Sequence, residues 1–185
     1  MIYSWKKIVR HGLPLLTLCI LIEIFAGQIL WSNQQKLMLF PIFLISIPVI
    51  NGVTGNIGSI LGARLASGLH VGTIELTIKD KNMQKNLATS LFMGLITYST
   101  LAILIYYIAD VGSIEMNIGL IEFVSIVLGT GVLLILIISF VSVFTAFLSF
   151  KKGLDPDDVV APVVTTVGDT LGIVFLFLLI GVVGI

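Results

Sequence analysis

Asp169 is the residue in this chain best placed to do chemistry. Asp158, Pro162, Thr165, Asp169 and Gly172 fall on one side of a helix, with Thr166 adjacent. From Ile173 to Ile185 the sequence is almost uniformly apolar, which puts Asp169 at membrane depth. A charge there costs at least about 2.5–3.5 kcal/mol on insertion scales. The carboxylate stays ionised only if water or a cation sits opposite it. A protonated or hydrogen-bonded structural aspartate is the alternative. The spacing favours a cation site at Asp169 flanked by Thr165, Thr166 and Gly168.

Carboxylate, hydroxyl, amide and backbone carbonyl oxygens suit a hard cation, magnesium or calcium, where copper or zinc would want thiolate or imidazole. The two histidines, His11 and His70, sit in segments that also carry Lys or Arg and read as solvated interface residues. Magnesium keeps its waters and uses one or two carboxylates. One such aspartate per chain is too sparse for a closed cage. Two copies around a dyad would present two carboxylates to a hydrated ion, so a homodimer is expected.

The second chemical signal is the run Pro48-Val49-Ile50-Asn51-Gly52-Val53-Thr54-Gly55-Asn56-Ile57-Gly58-Ser59-Ile60-Leu61-Gly62. Pro48 predicts a kink or break, because proline lacks the backbone donor and clashes one turn back. Pro48, Gly52, Gly55, Ser59 and Gly62 make a narrow small-residue face that lets another backbone approach closely. That face reads either as a packing seam or as the wall of an ion path. Packing alone does not need Asn51 and Asn56, whose amides suit a water-filled cavity.

Other acids are placed less sharply. Glu23 is the second intramembrane charge, three turns into the first apolar stretch, and could line a vestibule, bond across helices or couple transport to protons or sodium. Glu75, Asp155, Asp157 and Asp158 sit at the inner face, where they could gather cations or simply be solvated. Asp110, Glu115 and Glu122 would surround the outer mouth. Cys19 lies in an apolar run and reads as a small buried hydrophobe.

These groups need elements to carry them, and the composition says which. Of 185 residues, 57% are hydrophobic and 11% charged, with a mean hydropathy of +1.15. A soluble domain carries about a quarter charged residues, so lipid must be the outer solvent. A formal net charge of zero argues against nucleic acid as a partner. Five stretches are long enough to span: 12–31, 37–63, 87–109, 118–150 and 159–184. The first is longer than a signal-peptide core and no A-x-A site follows it, so it reads as a span. The fold class is therefore all-α integral membrane, one five-helix unit over residues 1–185, with 64–86 as the longest polar connection.

Lys6, Lys7 and Arg10 precede the first span, Arg64, Lys79, Lys81 and Lys85 follow the second, and Lys151 and Lys152 follow the fourth, against Lys36 on the other side. That bias predicts a cytoplasmic N-terminus and an outside C-terminus in the plasma membrane. Tyr3 and Trp5 on the inner side, and Trp31, Tyr106 and Tyr107 on the outer, are the matching aromatic anchors.

The stretch from Pro48 to Gly62, continuing to Leu65 and Leu69-His70, resembles the second membrane helix of the MgtE magnesium transporters and their eukaryotic solute-carrier relatives. Asp155-Pro156-Asp157-Asp158, followed by Ala161-Pro162-Val163-Val164-Thr165-Thr166-Val167-Gly168-Asp169, resembles the last helix of that family, which reads P-x-x-T-[TS]-x-x-D after an acidic D-P motif. The resemblance implies a homodimer with a magnesium pore on the two-fold axis, lined by the second and fifth helices. It implies that Asp169 binds the hydrated ion and that Asn51, Gly52, Gly55, Asn56, Ser59, Pro162 and Gly172 line the path. The cytoplasmic N and CBS domains of bacterial members have no counterpart here, so their gating does not carry over. The solute-carrier members hold two copies of the five-helix unit and this chain holds one.

Competing readings are weaker. The chain lacks G-x-G-D, H-E-x-x-H and G-x-S-G, so an intramembrane protease is disfavoured. A non-conducting scaffold subunit, or an exchanger coupled to protons or sodium, are the remaining alternatives.

Overall fold

The computed structural model describes residues 5–77 and 79–184, apart from the side chains at 5–8 and 11. Tyr3 lies outside the described residues, as do the side chains of Trp5, Lys6, Lys7 and His11, so their expected interfacial roles are not placed. The described residues form six helices: α1 (Trp5–Ser32), α2 (Gln34–Leu39), α3 (Ile42–Val71), α4 (Lys81–Val111), α5 (Leu120–Lys151) and α6 (Pro156–Val183). They contain no strand. All but α2 are long and apolar enough to cross a membrane. The 28 residues of α6 span about 42 Å at 1.5 Å each, more than a hydrocarbon core of about 30 Å.

The break expected at Pro48 falls instead at Pro41. Phe40 is forced out of the α region (φ −128°, ψ 74°) by the proline after it, and α2 ends there. The second span therefore starts at Ile42, and helix α3 runs unbroken through Pro48. A proline inside a membrane helix loses one backbone hydrogen bond, but neighbouring helices hold the segment in place. At its far end α3 continues to Val71, where Gly72 adopts a left-handed conformation (φ 77°) and stops it. Helix α4 begins at Lys81, its first turn capped by Asp80, whose Oδ1 accepts from the Met83 N–H at 2.7 Å. The expected polar connection 64–86 thus shrinks to residues 72–80. Alternating the helices through such short connections makes sequence neighbours antiparallel.

Helices α3, α4, α5 and α6 pack into a core in which α3 and α5 each touch the other three, whereas α1 touches only α6 and the short α2. Tyr98, Phe43, Phe123, Leu134 and Leu176 are among the fully buried side chains of that core. Tyr98 packs its ring on Gly131 of α5 and pairs its hydroxyl with that of Thr54 on α3. Its hydroxyl also lies 3.1 Å from the Ile50 carbonyl. One tyrosine thereby joins three helices. Glu122 closes the first turn of α5 by accepting from the Gly119 N–H at 3.2 Å, a local structural use for an acid expected at the outer mouth.

Candidate functional site

Helix α6 is built to carry Asp169 at mid-depth. Asp155 caps its start, with Oδ1 accepting from the Asp157 N–H at 3.1 Å, and Pro156 follows in the first turn, where a missing N–H costs nothing. Asp157 and Asp158 complete an acidic first turn that suits the positive end of the helix dipole. Asp155 also lies 3.6 Å from His70 at the end of α3. About 20 Å along the axis from Pro156, Asp169 stands at the centre of the helix.

The α3–α6 seam is reciprocal and depends on glycine at both sides. A Cβ at Gly55 would sit 2.9 Å from the Thr165 methyl, and one at Gly58 would sit 2.6 Å from Ile138 and 3.0 Å from Val164. Gly62 receives Val160 even more closely. In the other direction Gly168 receives Thr54, its Cβ position 2.8 Å from the threonine methyl, and Gly172 receives the Asn51 amide. Close backbone approach is the reason these positions are glycine. From this contact Asn51 Nδ2 donates to the Asp169 backbone carbonyl at 3.4 Å, linking the two helices at the level of the acid.

Beside the seam, α1 adds a third side to α3 and α6. The resulting cleft of about 510 Å³ is lined by Glu23, Ala26 and Gly27 from α1, Pro48, Asn51 and Gly52 from α3, and Asp169 and Ile173 from α6. Glu23 is at the middle of its own apolar segment, Gly12–Ser32. The Thr166 hydroxyl donates to Glu23 Oε1 at 3.1 Å, and Thr166 is itself buried. The two carboxylates are within electrostatic reach of each other. Among the described residues neither has a Lys, Arg or His ion-pair partner. Two unpaired acids at this depth would cost about 5–7 kcal/mol if both stayed charged against hydrocarbon, so they stay charged only where water or a cation shares the cleft with them.

Of the residues singled out in the sequence, Asp169, Asn51 and Gly52 meet in this cleft, and Thr166 reaches it through Glu23. Thr165 and Gly168, expected beside the ion, lie instead in the seam. The Thr165 hydroxyl is taken up by the Ala161 and Pro162 carbonyls of its own helix, both at 3.0 Å. Gly55 and Gly172 also belong to the seam, and Ser59 is half-buried below it. Pro162 faces α1, its carbonyl 3.7 Å from the buried Cys19 Sγ. Asn56 is exposed on the outer face of α3. Glu75, Asp157 and Asp158 are exposed at the loop end, far from the cleft. Ala26 and Gly27 had gone unremarked, yet they stand three and four residues after Glu23 and so share its face.

Five membrane-length helices, three of which line a cleft holding two carboxylates that have no basic partner among the described residues, define an integral membrane protein with a site suited to cations. A family model described as "MgtE: Divalent cation transporter" matches residues 47–179, well over half the chain, and the chain belongs to that family. This is a family of transporters, not of enzymes, and its activity is transport of divalent cations such as magnesium. Comparison with curated proteins and with solved structures finds no match.

Proposed function

We propose that two copies of the chain associate about a two-fold axis and carry magnesium across the plasma membrane along a path lined by α3 and α6. The paired Asp169 carboxylates hold the ion largely through its waters, and Asn51 and Gly52 form the adjoining wall. The observation that carries this reading is the half-buried Asp169 opening on the cleft at mid-depth without a basic partner among the described residues.

A dimer is supported by the free face of α3. Gly52 and Asn56 are exposed on one face of α3, small or polar at a depth where lipid would select large apolar side chains, and Ala63 and Ser67 continue that stripe past Ile60. A second copy covering that stripe would give Asn56 a wet or protein surrounding in place of hydrocarbon. The Lys and Arg bias supports an orientation with the N-terminus in the cytoplasm and the C-terminus outside.

The test is magnesium flux into liposomes holding purified protein, wild type against Asp169→Asn. The substitution keeps shape and removes the charge. Flux in the variant is expected to fall at least tenfold; equal rates would discard the assigned role.

A further inference from the structure

The sequence left Glu23 between three roles. In the structure it is the one charged residue on α1 between Arg10 and Lys36, and it opens on the same cleft as Asp169. Its orientation is fixed from α6, because the buried Thr166 hydroxyl has one proton and gives it to Glu23 Oε1. A carboxylate accepts at several further positions, so this bond leaves most of its capacity for another partner. No basic side chain among the described residues supplies one. The opening also has room for a hydrated ion. Six waters occupy about 180 Å³ at about 30 Å³ each, well within the cleft of about 510 Å³.

We infer that Glu23 is a second cation-holding carboxylate, brought by α1 to the Asp169 cleft, so that each chain by itself forms a two-carboxylate site for a hydrated divalent cation. This rests on the reading of Asp169 as part of the ion path and adds a residue and a helix to it. One acid per chain gives a site that only a dimer completes. Two acids from α1 and α6 give each protomer a net charge of −2 at the cleft, matched to a divalent ion and poorly matched to sodium or potassium. Thr166 acts as a positioning residue, holding Glu23 toward α6.

The experiment compares wild type, Glu23→Gln, Thr166→Val and Asp169→Asn in two measurements. The first is magnesium flux into liposomes over a range of magnesium concentrations. The second is binding of Mn²⁺ to the purified protein, followed by electron paramagnetic resonance. Glu23→Gln is expected to raise the half-saturating magnesium concentration, and the Mn²⁺ dissociation constant, at least tenfold while saturating flux stays measurable. Thr166→Val, which keeps the charge but frees it, is expected to shift both by a smaller factor. A purely structural role for Glu23 would lower saturating flux and leave both affinities alone, and that result overturns the inference. If Asp169→Asn loses flux while Glu23→Gln matches wild type in both measurements, the inference fails and the reading of Asp169 stands. If Asp169→Asn transports like wild type, both fail. Should Glu23→Gln not reconstitute, Glu23→Asp decides, since it withdraws the carboxylate by one methylene; unchanged affinities there also overturn the inference.

Discussion

Gly58→Ala tests the helix seam that positions the site. A Cβ at Gly58 would lie 2.6 Å from Ile138 Cγ2 and 3.0 Å from both Cβ and Cγ2 of Val164. Neither neighbour can swing aside, because Ile138 is 1% and Val164 0% exposed and both are β-branched, with stiff χ1 angles. The helices must then separate, which also stretches the bond of 3.3 Å from the Ser142 hydroxyl to the Gly58 carbonyl. Overpacking of this kind costs about 1–3 kcal/mol, against a gain of about 0.5–1 kcal/mol from replacing glycine by alanine inside a helix. The net loss is about 1–2 kcal/mol. At about 2–4 °C per kcal/mol for a chain of this length, the apparent Tm should fall by about 2–8 °C. Gly181→Ala is the control, since an added Cβ there meets nothing within 4 Å, and its Tm should hold or rise slightly. Near-ultraviolet circular dichroism of the purified protein on heating measures both. A Gly58 variant as stable as wild type, or a Gly181 variant that falls equally, would refute the packing argument.

The remaining predictions concern bonds that hold the same frame and groups in the cleft. Tyr98→Phe and Thr54→Val should each lower stability by about 0.5–1.5 kcal/mol, because each hydroxyl still leaves its partner the Ile50 carbonyl. The double variant should lose less than the sum, and strict additivity in thermal melts would show that the two hydroxyls are not paired. Asp80→Ala removes the cap on α4 and should cost about 1 kcal/mol, read by the same melts and by faster amide exchange in the first turn of α4. In the cleft, Asp169→Asn should cut magnesium flux at least tenfold, and Glu23→Gln should weaken divalent binding by a similar factor.

Spans were legible because their signal is one-dimensional. Twenty apolar residues read the same in any arrangement, so each of the five apolar stretches overlaps a helix long and apolar enough to cross a membrane. Their ends moved where local stereochemistry outweighed hydropathy. Pro41 rather than Pro48 broke the chain because only Phe40, ahead of Pro41, had no surrounding helix to hold it. Polar residues such as Arg64 and Ser67 extended α3 beyond the apolar run, since a helix needs an apolar face only where it meets lipid or core.

The sequence by itself determined that this is a five-span membrane protein with a carboxylate at mid-depth on the last span. It could not divide the small residues of α3 between their two roles. Gly55, Gly58 and Gly62 close against α6, while Gly52, one turn earlier, opens on the cleft. Spacing cannot separate these, because the division depends on which part of the α3 surface meets α6 and which is left open. Nor could spacing bring Glu23 to Asp169, which lie on helices at opposite ends of the chain. Only the packing of α1 against α6 joins them, and such a contact is a property of two surfaces together, absent from the pattern of either alone.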